Sequence, residues 1–268
     1  MKSTKSPAPK NKETPEMTFT PLKLDLNEYG FLSGQLYQPE VHSVGQLEQS
    51  ANFRKDARLV ILLHGWGADG SDLTPLAPSL LSQASVASED TSSANHSSFG
   101  GAVFVPDAPN ICSANPFGRQ WFELSDPASG IGRNASACLQ TAEFIAAMLD
   151  ALSKRIGYAS DQIILGGFSQ GGMVSLTAGV GYEKPLAGLF CLSGAWLTSE
   201  QTCHQPIGLP VFLAHGLLDP VVPFACITQA ETDLKKVGLT PQTLHREHMA
   251  HGIDPETIDA LARFIASL

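Results

Sequence analysis

Five short runs built almost wholly of apolar residues, at 59–63, 102–105, 162–165, 186–192 and 209–214, constrain this chain more tightly than any other feature. Runs of that length without polar alternation suit strands covered on both faces, the situation in a parallel sheet. The intervals between them read as helices at 71–81, 135–155, 170–180 and 224–237, with a last one at 255–267. Strands and helices in alternation predict an α/β doubly wound fold with a mainly parallel central sheet. Ahead of it, 18–25 and 30–37 alternate polar with apolar residues, and Asn27 and Gly30 supply turn chemistry between them. An antiparallel pair at one edge of the sheet is expected there.

A chain of 268 residues can bury a substantial core, and no compositional seam divides it in two, so a single domain over 17–268 is expected. Residues 1–16 are rich in Lys, Ser, Pro and Thr and lack the apolar stretch of a secretory signal, which predicts a disordered tail. The stretch 82–98 is polar, serine-rich and low in complexity, and is expected to be a surface insertion. A formal net charge of −9 leaves no basic field to gather phosphates, which argues against nucleic acid as a partner. Cys112, Cys138, Cys191, Cys203 and Cys226 show no Cys-x-x-Cys spacing, so neither a disulfide framework nor a zinc site is indicated. Free thiols in a reducing, cytoplasmic setting fit best. With no stretch of about 18 uninterrupted apolar residues, integral membrane association is not expected.

The chemistry concentrates where the run 162–165 breaks into Gly166-Gly167-Phe168-Ser169-Gln170-Gly171-Gly172 and then resumes as the small, apolar stretch 173–178. A serine on a strand-to-helix turn needs neighbours without side chains, because the backbone there is strained and closely approached. Such a turn exposes Oγ of Ser169 for nucleophilic attack and puts the amide of Gln170 at a helix N-terminus, where it can receive a developing oxyanion. By itself Gly-x-Ser-x-Gly also fits an ordinary tight turn. The strand before it and the helix after it favour a nucleophile elbow.

A nucleophilic serine needs a base, and the base needs an orienting group. Asp219 lies in the loop that follows the run 209–214, at the carboxyl end of a strand, where open α/β sheets assemble their sites. His251 follows a short β-type stretch at 242–245 and precedes the last helix. The order Ser169, Asp219, His251 is the chain order of α/β-hydrolases. Of eight histidines, His64, His215, His245, His248 and His251 fall near strand ends. His64 and His215 suit supporting hydrogen bonds; His251 is the preferred base, with His248 as the alternative. The spacing His245-x-x-His248-x-x-His251 scatters the rings on a strand or a helix, so no metal is expected, and acyl transfer through a serine calls for no cofactor. The glycine-rich segment 63–72 after the first apolar run supplies a second oxyanion donor, assigned to the amide of Trp66 beside that of Gln170. Asp69 and Asp72 are read as turn and cap residues.

Taken together, Leu63-His64-Gly65-Trp66-Gly67-Ala68-Asp69-Gly70-Ser71-Asp72, Pro106-Asp107-Ala108-Pro109, Trp121-Phe122, Gly167-Phe168-Ser169-Gln170-Gly171-Gly172, Leu192-Ser193-Gly194, His215-Gly216 through Asp219-Pro220-Val221-Val222-Pro223, and Met249-Ala250-His251 resemble the phospholipase/carboxylesterase family. Bacterial carboxylesterases, lysophospholipases and acyl-protein thioesterases belong to that family. The resemblance spans about 18–268 in motif order, and Glu123 departs from the aspartate common after the Trp-aromatic pair. It implies an α/β-hydrolase fold without a large cap domain, and an acyl groove beside the serine for which Trp66, Leu73, Phe117, Trp121, Phe168 and Val222 are candidates. The implied partner is a small-molecule or lipid acyl ester or an acylated protein, and a homodimer is an analogy only. Hydrolysis of carboxylic esters of short to medium acyl chains through an acyl-enzyme is the expected activity, with lysophospholipid or S-acyl-protein hydrolysis as the alternative. A non-catalytic binding protein on the hydrolase fold is the remote one, and a protease finds no further support.

Overall fold

A computed structural model describes residues 19–38, 57–82, 101–124 and 134–268. The expected tail at 1–16 lies outside them, as does the expected insertion at 82–98 apart from Ser82. Eight strands form one sheet in the order β1–β2–β4–β3–β7–β8–β9–β10. Here β1 is Phe19–Asp25, β2 Phe31–Tyr37, β3 Leu59–Leu63, β4 Ala102–Pro106, β7 Ile163–Phe168, β8 Gly188–Leu192, β9 Pro210–Gly216 and β10 Thr240–Arg246. The first two strands pair antiparallel, β2 pairs antiparallel with β4, and the strands from β4 to β10 run parallel. A separate small hairpin joins β5 (Asn110–Ile111) to β6 (Arg119–Gln120).

Period-two alternation sorts the strand side chains into two cores. Leu59, Ile61, Leu63, Phe104, Ile163, Leu165, Cys191 and Leu213 face one way, against α2 (Ala135–Ile156), α3 (Gln170–Gly181) and α4 (Ala225–Lys236). Val60, Leu62, Val103, Val105, Ile164, Phe190 and Phe212 face the other way, against α1 (Ala77–Ser82) and α5 (Pro255–Ala266). Burial on both faces explains why these strands read as unbroken apolar runs. By length and composition α2 could cross a membrane. Its Phe144, Ile145, Met148, Leu149 and Leu152 instead face the first core.

The helix expected at 71–81 is present only from Ala77 onward. Two 3₁₀ turns, Gly70–Asp72 and Thr74–Leu76, precede α1. Pro75 has no N–H to bond the carbonyl of Ser71, and that carbonyl accepts the hydroxyl of Thr74 at 2.8 Å instead. At the other end of the chain, Asp254 caps α5 by accepting the amide of Thr257 at 2.9 Å, with Pro255 in the first turn.

The connection from β3 leads to β4 on one side, and the chain then returns to place β7 on the other side of β3. Strand order therefore reverses between β3 and β7, and a crevice opens at their carboxyl ends.

Candidate active site

Both loops that border this crevice are glycine-rich for steric reasons. A Cβ on Gly171 would run into the carbonyl oxygens of Leu63 and His64, and one on Gly167 into that of Leu63. The elbow thus rests directly on the end of β3. Ser169 itself has φ 53° and ψ −117°, a conformation that side chains other than glycine's adopt under strain. It is held there by its amide, which donates to the carbonyl of Leu192 on β8 at 2.8 Å, and by its carbonyl, which accepts the amide of Met173 in α3 at 3.0 Å.

Oγ of Ser169 is 2.9 Å from Nε2 of His251, and Nδ1 of His251 is 2.8 Å from Oδ2 of Asp219. Because the carboxylate only accepts, Nδ1 carries the proton and Nε2 presents a lone pair to the serine hydroxyl. Asp219 is held by two further donors, the amides of Val221 and Val222, which reach Oδ1 at 2.8 and 2.9 Å; Nε2 of His215, which donates to the carbonyl of Val222, lies 3.3 Å from Oδ2. The side chains of Asp219 and His215 are wholly buried, while that of His251 keeps 18% of its surface exposed.

The loops that carry Asp219 and His251 are zipped together. The amides of Leu217 and Leu218 donate to the carbonyls of Arg246 and Met249 at 2.9 and 3.2 Å. Gly216 makes this approach possible, since a Cβ there would overlap the carbonyl of Met249. His245 and His248 stay exposed, and the ring of His245 meets Phe224 edge-on with centroids 4.9 Å apart.

On the other side of the serine, Gly65 lies against the elbow: a Cβ there would sit 3.5 Å from that of Ser169. The amides of Gly67 and Ala68 go to the carbonyls of Arg119 and Gly65, whereas that of Trp66 has no backbone acceptor among the described residues. At the start of α3 the amide of Gln170 has no intrahelical acceptor either. The side chains of both residues reach the segment 119–123. The indole N–H of Trp66 donates to Oε1 of Gln120 at 2.9 Å, and Gln120 in turn donates to the carboxylate of Glu123. Gln170 accepts the amide of Trp121 at 2.9 Å and donates to the carbonyl of Phe122 at 2.8 Å. Sequence reading missed these glutamine contacts, for which Gly118-Arg119-Gln120-Trp121 offers no recognisable signal.

His64 is a buried strut beneath this floor. Its Nε2 accepts the amide of Ala108 at 3.0 Å, so Nδ1 is the protonated nitrogen and donates to the carbonyl of Gly65 at 2.8 Å. Burial holds its pKa below the ordinary histidine value. The pKa of His215 is lowered by burial as well.

The side chains expected around an acyl groove separate. Leu73, Trp121 and Val222 are 4%, 1% and 1% exposed and belong to the cores. The indole of Trp121 donates to the carbonyl of His64 at 2.8 Å, which places it under the site. Phe117 projects into solvent near the β5–β6 hairpin at 92% exposure. Phe168 is half-buried, with its ring centroid 4.9 Å from that of His251, and Trp66 is half-buried as well. Leu218 and Val221, on the loop that carries Asp219, present exposed apolar surface.

A doubly wound sheet carrying a strained serine at its switch point, in hydrogen-bonded series with an imidazole and a buried carboxylate, defines a hydrolase of the α/β-hydrolase fold. The sequence pattern of the Phospholipase/Carboxylesterase family matches residues 48–268, and the chain belongs to that family. Acyl-protein thioesterase 1 of Emericella nidulans is 28% identical over 229 residues, covering 79% of this chain and 90% of that protein. The crystal structure of esterase PE8 superposes with a TM-score of 0.64 at 30% identity, covering 78% of this chain and 92% of that one. A carboxylesterase from Bacillus cereus shares the fold, with a TM-score of 0.66 at 15% identity over 84% of this chain and 99% of its own. This chain is a serine hydrolase of esterase or thioesterase type.

Proposed function

We propose that Ser169 is the nucleophile, His251 the general base and acid, and Asp219 the group that fixes the imidazole tautomer. The observation that carries this reading is the series of 2.9 and 2.8 Å contacts from Ser169 through His251 to Asp219. As Oγ attacks the acyl carbon its proton passes to Nε2, and the imidazolium so formed is stabilised by the carboxylate. The amides of Trp66 and Gln170 receive the oxyanion; the leaving group departs with the proton from His251, and water repeats the sequence on the acyl-enzyme. The chain's own residues suffice for every step.

Carboxylic esters with short to medium acyl chains are the proposed substrates, handled by one domain in the cytoplasm. The half-buried faces of Phe168 and Trp66 and the exposed Leu218 and Val221 support an acyl group lying beside the serine. A second reading, hydrolysis of S-acyl thioesters on proteins, is favoured by the name carried by the relative from Emericella nidulans. The test combines labelling with profiling. A fluorophosphonate is expected to add to Ser169 of the wild type and not to the Ser169→Ala protein, and ester hydrolysis is expected to peak below the long-chain acyl groups. Matched thioesters cleaved faster, with a long-chain optimum, would select the second reading; absence of labelling would defeat both.

A further inference from the structure

We infer that Ser193 is a positioning residue for His251, through a hydrogen bond from its hydroxyl to the loop that carries the base. The inference rests on the assignment of His251 above. Ser193 follows β8, next to the strand that presents the nucleophile, and is completely buried. Its Oγ donates to the carbonyl of Gly252, the residue after His251, at 3.0 Å. Its amide donates to the carbonyl of Ala214 on β9 at 2.8 Å, so the backbone beneath the hydroxyl is fixed.

The backbone of Ser193 is itself in the left-handed region, with φ 49°. Among the described residues only Asn27, Ser169 and Ser193 combine a side chain with a positive φ. A glycine would adopt this conformation without strain, so a need for the turn alone does not account for a serine there. What the serine adds is one donor, and the structure shows where it goes. The next residue, Gly194, packs against the elbow: a Cβ there would lie 2.9 Å from the carbonyl oxygen of Ser169. Residues 193 and 194 therefore join the nucleophile turn on one side to the base loop on the other. The acid loop already holds the base loop through Leu217 and Leu218, and Ser193 supplies the tie from the serine side. Without it, Nε2 of His251 can swing relative to Oγ while the fold and the oxyanion donors stay in place.

Kinetics and stability of Ser193→Ala and Ser193→Gly separate this role from a structural one. The alanine keeps the strained conformation and loses the donor; the glycine relieves the strain and also loses the donor. With p-nitrophenyl butyrate, both variants are expected to lose about 10-fold in kcat, the scale of one hydrogen bond's worth of alignment, with KM within about twofold of the wild type. The rate of fluorophosphonate labelling of Ser169 should fall by the same factor. The glycine variant should melt at a higher temperature than the alanine variant and be no more active. Wild-type kcat in either variant, or a kcat that falls with alanine and recovers with glycine in step with the melting temperature, overturns the inference. His251→Ala is measured alongside: if it keeps activity, the base assignment fails and this inference with it, whereas an inactive His251→Ala beside fully active Ser193 variants overturns the inference alone.

Discussion

Asp219 accepts more donors than any other side chain around the serine, and the identity of those donors makes its substitution informative. Two are backbone amides on Oδ1 and one is Nδ1 of His251 on Oδ2, with Nε2 of His215 a further 3.3 Å neighbour of Oδ2. Asparagine fits the same space, but its amide group then faces either the Val221 and Val222 amides or Nδ1 of His251 with a donor. Keeping its oxygen on the two backbone amides turns the NH₂ toward His251, so that Nδ1 must accept and Nε2 carries the proton toward Ser169. In that tautomer the imidazole cannot take the serine proton. Asp219→Asn is therefore expected to fold normally and lose about 10⁴-fold in kcat, measured by steady-state ester hydrolysis with circular dichroism as the control for folding. His215 shares in this arrangement: its Nε2 also lies 2.9 Å from the carbonyl of Val222, which makes Nε2 the protonated nitrogen and leaves the lone pair at Nδ1 without a partner among the described residues. Burial of a ring satisfied on one side only favours its neutral form, and the pKa of His215 lies below the ordinary histidine value.

Among the elements, α5 has a start that bears on both stability and the site, because it begins four residues after His251. Asp254 caps it and also receives Nε of Arg246 from β10 at 2.8 Å, while Glu256 pairs with the same guanidinium. Although burial pushes the Asp254 carboxyl up, the Thr257 hydrogen bonds and Arg246 outweigh it and hold the pKa below the ordinary aspartate value. Asp254→Ala is expected to cost about 1–2 kcal/mol in urea unfolding, and Asp254→Asn, which keeps a competent cap, less than half of that. Much at this scale is legible in the sequence: the apolar runs mark the strands, the last helix is expected from 255, and motif order singles out Ser169, Asp219 and His251, which the fold brings into hydrogen-bonded series. The limits of legibility have physical causes. β9 continues to Gly216, past its apolar run, because His215 and Gly216 find ladder partners in His245 and Arg246 of β10. The apolar period at 71–81 was real, but Pro75 withheld the hydrogen bond a helix needed there. Leu73, Trp121 and Val222 were apolar residues in site-forming loops, yet which way each points is decided by tertiary partners, such as the His64 carbonyl that takes the Trp121 indole. Gln120 belongs to no motif, and Ser193, although it stands in Leu192-Ser193-Gly194, carries no sign in the sequence of what its hydroxyl bonds; their contacts alone show it.

At the scale of the whole molecule, the site is a seam between two cores, and the groups that close the seam are neutral when folded. His64 joins the β3 turn to the loop at Ala108, and His215 joins β9 to the acid loop; both are wholly buried, and burial lowers both pKa values. Asp107, Asp69 and Asp72 around His64 favour its cation, as Asp219 does for His215, while His251 and His245 oppose charging of His215; desolvation outweighs the favourable contacts in both cases. The geometry agrees, since Nε2 of His64 meets an amide N–H and has no place for a proton of its own. In the unfolded chain both rings titrate near the ordinary value of about 6.5. Between that pH and their lowered folded values, the unfolded chain binds more protons than the native one, so stability rises with pH across this window and is fully present above it. As pH falls through the window the contribution is lost, at up to about 2.7 kcal/mol per pH unit when both rings take up their protons together. Urea unfolding followed from pH 7.5 downward is thus expected to show a midpoint that declines below pH about 6.5. Replacing His215 by glutamine, which keeps a donor near the Nε2 position and cannot be protonated, should reduce the proton uptake on unfolding by about one. A flat midpoint from neutral pH to pH about 5 would mean that both rings keep ordinary pKa values in the fold, and that the seam admits charge where its hydrogen bonds leave no room for it.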